Sequence, residues 1–131
     1  MRQRAVEARV GRLATVTADG RPHVVPCCFA IDGDVLYSPI DDVKPKSTLV
    51  LRRLDNIRHR PAVTVLIDQY AEDWTQLWWV RLDGNADLVP AGTQPHGKGW
   101  DLLATKYAQY RRPPTSGVMI TVEVLTWRAW P

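Results

Sequence analysis

Gly11-Arg12-Leu13-Ala14-Thr15-Val16-Thr17-Ala18-Asp19-Gly20-Arg21-Pro22-His23-Val24-Val25-Pro26-Cys27-Cys28-Phe29-Ala30-Ile31 decides the fold class. Arg12 to Val16 alternates polar and apolar residues, as a strand with one buried face does. Asp19-Gly20 between two such segments is a strong hairpin signal, so a return strand is expected from His23 to Ile31. A second turn at Asp32-Gly33-Asp34 leads into Val35-Leu36-Tyr37-Ser38, which predicts three strands in an antiparallel meander. Pro26 falls inside the second strand and cannot donate to a ladder, so it belongs at an edge, a bulge or a break. A break would leave backbone groups that a ligand can use.

Downstream, Ser47 is a good N-cap, Val50, Leu54 and Ile57 recur at helical spacing, and Pro61 stops the helix. Ala62 to Asp68 follows as a buried strand. The acidic loop Ala71-Glu72-Asp73 precedes another strand, Leu77 to Leu82, and Asp83-Gly84 marks a turn or bulge before Asn85 to Val89. Pro90 to Gly99 has loop composition. A second helix is expected from about Lys98 to Arg111, with Trp100, Leu103, Tyr107 and Tyr110 on one stripe, and Gly117 to Trp127 forms a closing strand. With a short opening helix near Gln3 to Val10, the tally is six or seven antiparallel strands and two main helices. A mainly β chain of this kind suggests a small barrel with flanking helices.

The 131 residues are expected to form one domain spanning 1–131, with 45% hydrophobic and 24% charged residues, outside the disordered range. Cys27 and Cys28 are adjacent, point to opposite faces of a strand and have no other cysteine to pair with, which favours a reducing compartment. No apolar run approaches the roughly 18 residues of a membrane span, and the basic start lacks the apolar core of a signal peptide. A soluble cytoplasmic protein is expected. The net charge of +3 permits a phosphate-bearing partner.

Three groups of residues carry possible chemistry. Lys44-Pro45-Lys46-Ser47-Thr48 places two ammonium groups and two hydroxyls at a helix start, where backbone N–H groups and the dipole favour an anion. Arg52 and Arg53 stand one turn on. Trp78-Trp79-Val80-Arg81 puts one tryptophan inward and one outward, with Arg81 on the face of Trp79, and Trp74 precedes them. An outward Trp needs a flat ligand or a partner subunit to cover it. Cys27 and Cys28 have apolar flanks and read as small core residues. His23, His59 and His96 are scattered without metal-ligand spacing, so no metal site is expected, and no nucleophile elbow, P-loop or dinucleotide fingerprint is present. An enzyme built this way would borrow its chemistry from a cofactor.

Gly11 to Pro26 resembles the first hairpin of the pyridoxamine 5'-phosphate oxidase-like split β-barrel family. Lys44-Pro45-Lys46, Leu51-Arg52-Arg53-Leu54, Asn56-Ile57 and Pro61 to Asp68 are similar to that family's phosphate-binding strand end, helix and next strand. Asp73-Trp74 through Trp78-Trp79-Val80-Arg81-Leu82-Asp83-Gly84-Asn85-Ala86 resembles a branch of probable deazaflavin (coenzyme F420)-dependent oxidoreductases of actinobacteria, and the likeness extends to Lys106-Tyr107, Tyr110-Arg111 and the last strand. The resemblance implies a split β-barrel and a homodimer with cofactor sites in clefts between subunits. It implies a cofactor phosphate near Lys44, Lys46, Ser47 and Thr48 and a ring against Val24, Val25 and Pro26. Trp78 and Trp79 would then close the cleft from the partner chain.

The implied activity is hydride transfer between F420 and an electron-poor small molecule such as a quinone, enone or tetrapyrrole. The same fold with FMN, or a non-catalytic F420 carrier, are the alternatives, and the physiological substrate is not legible. Tyr107 or Tyr110 is a candidate proton donor. The extended C-terminal segment with which pyridoxamine phosphate oxidases recognise substrate is lacking, so vitamin B6 oxidation is not expected. A small basic barrel stacking single-stranded nucleic acid on Trp is disfavoured, because the basic residues cluster at Lys44 to Arg60 instead of interleaving with the aromatics.

Overall fold

A computed structural model describes residues 2–40, 48–113 and 117–131, with only the backbone described at 48–51. Lys44, Lys46 and Ser47 lie outside the described residues. Helix α1 (Arg2–Glu7) precedes strands β1 (Gly11–Val16), β2 (Pro22–Cys27), β3 (Ala30–Asp32) and β4 (Val35–Pro39). Then come α2 (Thr48–His59), β5 (Ala62–Gln69), β6 (Trp78–Val89), α3 (Gln94–Lys106) and β7 (Met119–Trp130). The seven strands form one sheet in the order β2-β1-β5-β6-β7-β4-β3, and every pairing is antiparallel.

The expected meander is not what forms. Hairpins β1–β2 and β3–β4 sit at opposite ends of that order, because the strand expected from His23 to Ile31 divides at Cys28-Phe29. Three peptide steps separate Cys27 from Ala30 and span at most about 11 Å. The two sheet ends must therefore approach each other there, and the sheet curls into a split barrel. Pro26 stays within β2, on the edge of the sheet, where its missing N–H interrupts no inner ladder.

Inside the barrel, Leu13, Phe29, Leu36, Val65, Ile67, Val80, Leu82, Ile120 and Val122 are buried, and Ala5 of α1 packs against the same core. Fully burying each large aliphatic or aromatic side chain contributes about 1.5–3 kcal/mol. The helix α2 crosses β1, where Asn56 Nδ2 donates to Thr15 Oγ1 at 3.0 Å in the interior. One turn on, just past the end of α2, Arg60 donates to the carbonyls of Thr17 and Ala18 and so ties the helix to the β1–β2 hairpin turn.

The helix α3 starts at Gln94, four residues earlier than expected, and ends at Lys106. Pro95 is tolerated because the first turn has no N–H partner to lose. Gly99 lets the helix close on β4, since a Cβ there would lie 2.6 Å from the Tyr37 ring. The aromatic stripe is real, but Tyr107 and Tyr110 lie beyond the helix end. Tyr107 caps it and Tyr110 follows in a short 3-10 turn, and both pack with Trp100, Leu103 and Met119.

Asp83-Gly84 is a bulge, and β6 runs unbroken through it. The register jumps from Asp83–Thr126 to Gly84–Val124, so the extra residue is Leu125 on β7. A Cβ at Gly84 would meet the Glu123 carbonyl oxygen at 2.1 Å, so only glycine fits against the bulged strand. The insertion flips the side-chain alternation of β7. Ile120, Val122 and Val124 point into the core before it, whereas Trp127 and Ala129 do so after it. Arg128 and Trp130 are thereby turned outward.

Candidate functional site

The outer face of the sheet is built by register. Pro26, Arg12, Leu66, Arg81 and Arg128 form one row across five strands, and Asp68, Trp79 and Trp130 form another. Val24 and Pro26 project outward from β2, while Val25 turns inward against the core. Trp78 also packs against the core, under the Arg4 guanidinium at 5.9 Å, and Trp79 takes the open side. Across the sheet, Pro26 and Val24 lie three strand spacings, roughly 14 Å, from β6, in register with Arg81 and Asp83, two and four residues along that strand from Trp79.

Leu66, Tyr70, Trp78, Trp79, Arg81 and Trp130 line a concavity of about 680 Å³ on this face. Its walls are chiefly aromatic and aliphatic, with Arg81 and Asp68 as the charged groups, the carboxylate of Asp68 held by Arg12 at 3.0 Å. Trp74 stands out from the adjoining loop at 69% exposure. Asp73 fixes that loop by accepting from the Thr75 amide at 3.0 Å and the Thr75 hydroxyl at 2.6 Å, and those bonds hold its carboxyl below the usual range. A smaller concavity of about 500 Å³, lined by Val16, Pro22 and Leu125 among others, lies elsewhere on the sheet. Val24, Trp130 and Leu125, at 60%, 48% and 62% exposure, leave an apolar surface that a folded chain ordinarily covers.

The expected site residues divide by face. Val24, Pro26 and Trp79 share the open side, Val25 and Trp78 support it from beneath, and Thr48 opens α2. Leu66 and Trp130 were not singled out by sequence reasoning. The signal for Trp130 is the count of residues from the bulge, which is visible only once β6 and β7 are paired.

Tyr107 serves the seam between the sheet edges. Its hydroxyl accepts from the Phe29 amide at 3.2 Å and lies 2.9 Å from the Arg9 carbonyl oxygen and 3.1 Å from that of Phe29. Lys106 Nζ donates to the Phe29 carbonyl at 3.0 Å and sits 3.9 Å from the Phe29 ring centre. Burial, helped by nearby Arg9, brings the Lys106 ammonium down to about 8. Tyr110 is buried beside Trp100 and Tyr107. Both tyrosines thus belong to the packed flank, away from the open face, and neither is placed to protonate an acceptor there.

Cys27 is buried, and desolvation pushes its thiol up to about 11 despite a hydrogen bond with Ser38. Cys28 is half-buried. Among the described residues no three His, Cys, Asp or Glu side chains gather in a way that could hold a metal, and no helix is long and apolar enough to cross a membrane.

A mainly antiparallel sheet in which a strand divides at residues 28–29 and which curls on itself is a split barrel. The sequence profile of the pyridoxamine 5'-phosphate oxidase family matches residues 1–131, and the chain belongs to that family. No curated protein matches the chain. Among solved structures, an FAD-binding protein from Mesorhizobium loti superposes with a TM-score of 0.70 at 23% identity, covering 98% of this chain and 87% of that one. An F420 reductase gives 0.63 at 25% identity, with 95% and 94% covered. The heme storage protein HutZ from Vibrio cholerae gives 0.74 at 15% identity, with 98% and 89% covered. The first and third likenesses, at these identities, bear on fold alone.

Proposed function

We infer that the protein is an F420-dependent oxidoreductase working as a cytoplasmic homodimer, with one 1–131 domain per subunit and a cofactor cleft between subunits. The observation that carries this reading is the shared outer face. An edge strand exposes Val24 and Pro26, and across the sheet an aromatic wall of Trp79 and Trp130 faces the same direction. Arg12 and Leu66 lie between the two, and a second copy laid on this face brings its aromatic wall over the first copy's edge strand. The F420 reductase, similar over nearly the whole length of both chains, supports the deazaflavin over FMN.

In this reading the cofactor ring lies against β2 at Val24 to Pro26, with Val25 contributing backbone only. Lys44, Lys46, Ser47 and Thr48 hold its phosphate by charge and by the free N–H groups at the start of α2. Trp79 covers the ring, and Trp78, fixed beneath by Arg4 and the core, keeps β6 rigid. When bound, F420 supplies a two-electron hydride to an electron-poor quinone, enone or tetrapyrrole-like acceptor. The chain's own work is orientation and exclusion of water.

Titration of the protein with F420 and, in parallel, with FMN, followed by tryptophan quenching, tests the reading. F420 is expected to bind the more tightly. Lys44→Ala with Lys46→Ala is expected to weaken F420 about a hundredfold, the worth of two charge-assisted contacts, with an unchanged melting temperature. Preference for FMN would move the protein to the flavin enzymes of the same fold. Equal affinity in the double variant would remove the phosphate assignment.

A further inference from the structure

The geometry points to an acid-binding subsite beside the aromatic wall, formed by Arg81 and Arg128, for a carboxylate or similar anionic group on the planar acceptor. This deepens the reading above and rests on the acceptor entering the cleft at Trp79.

Trp79 pairs with Trp130 and, two residues along each strand, Arg81 pairs with Arg128. Directly opposed residues in an antiparallel ladder share a face with Cβ atoms about 4.5–5.5 Å apart. Two tryptophans thus abut two guanidiniums in a two-by-two patch. Like charges in that relation destabilise a sheet unless something offsets them.

The offset within the chain is partial. Arg81 Nε donates to Asp83 Oδ2 at 3.2 Å, and Arg12 pairs with Asp68 at 3.0 Å. Among the described residues Arg128 makes no ion pair. The bulge at Leu125 is what turns Arg128 onto this face, so the like-charge pair follows from a built feature of the strand and not from chance surface composition. Asp83 engages Arg81 through Nε, and the terminal nitrogens of that fork can still meet an anion.

An anion between the two guanidiniums would relieve their repulsion and gain charge-assisted hydrogen bonds from both. The apolar concavity beside it takes a flat ring. A planar conjugated acid satisfies both halves of the patch. A neutral ring leaves the charge pair uncompensated, and a non-planar anion leaves the tryptophans bare. The anion could also come from the cofactor itself, and competition separates the two sources.

The probes are 2-naphthoate and 2-naphthamide, which share one ring system and differ in charge. Calorimetric titration of the full chain is expected to give naphthoate about tenfold tighter binding than naphthamide, as one added charge-assisted contact provides. Arg128→Gln and Arg81→Gln should each bring the two ligands to within about twofold, while naphthamide affinity is unchanged. Arg128 is exposed, so its variant folds, and Arg128→Lys should restore part of the preference. Naphthoate should still bind with F420 at saturation. Equal affinity for the two probes in the parent protein, or a preference that survives both substitutions, overturns the subsite. One-for-one displacement of naphthoate by F420 gives the arginines to the cofactor and overturns the acceptor assignment. If neither F420 nor FMN binds but the charge preference holds and is lost in the variants, the cofactor reading falls while the acid site stands.

Discussion

Trp100 and Trp79 mark two regions that treat the same side chain in opposite ways. On the packed flank, Trp100 is buried, its indole N–H donates to the Arg112 carbonyl at 2.9 Å, and Tyr110 meets it edge-on at 5.4 Å. Tyr107 beside them places its hydroxyl on the Phe29 and Arg9 backbone. On the open face, Trp79 and Trp130 stand together over a concavity with solvent for a neighbour. The first region is complete within one chain, and the second is left open. Aromatic content alone does not distinguish them. The partner of each polar atom and the face of each strand do.

If that contrast is right, substitutions should divide into those that unfold and those that only unbind. The largest effect belongs to Gly84→Ala, because the added methyl meets backbone at a place that cannot yield without moving β7. A loss of about 3 kcal/mol or more is expected in urea denaturation, together with displacement of Trp130 from the open face. Tyr107→Phe follows. It leaves the Phe29 amide without its acceptor in the interior at the seam, and about 1–3 kcal/mol of stability should be lost.

A smaller effect is confined to alkaline pH. The Cys27 thiol is held at about 11 in the folded protein, above its ordinary value of 9.0. Below pH 9 both states keep the proton and the group has no pH-dependent effect. Between pH 9 and 11 the unfolded chain ionises first, so folding weakens as pH rises, by up to about 2 kcal/mol. Lys106 acts oppositely between about 8 and its ordinary 10.5, because the folded chain loses that proton first and the penalty on its buried ammonium fades as pH rises. The difference in stability between the parent and Cys27→Ala isolates the thiol. It should change in favour of the variant over pH 9 to 11 and stay level below.

Much of the fold was legible because the decisive signals are local. Asp19-Gly20 names its own turn, and Pro61 ends α2 whatever it packs against. Pro26 could be confined to three situations, and the edge is the one that occurs. The illegible parts depend on residues distant in sequence. The division at Cys28-Phe29 is held by Tyr107 and Lys106, nearly eighty positions away, and nothing in the local run of apolar residues announces it. The start of α3 was hidden by a proline and two glycines that look like loop, although Gly99 is there to admit Tyr37.

In the candidate site, alternation sorted Trp78 from Trp79 and placed Arg81 with Trp79, as a period of two must. The same rule carried down β7 from Ile120 would have put Trp130 inside. One bulged residue, chosen by the close approach of Gly84 to Glu123, reverses it. Periodicity reports which residues share a face only as far as the next insertion.

The most direct test of the open face as the cofactor cleft is the affinity of Trp79→Ala for F420, measured beside the parent protein by the absorbance of the bound deazaflavin. Loss of one stacking surface should weaken binding by about tenfold, while removing the half-buried Trp79 ring, paired with Trp130 on the open side of the sheet, costs less stability in urea than a core truncation does. Unchanged F420 affinity in that variant would contradict the account and leave the aromatic wall as a subunit contact alone.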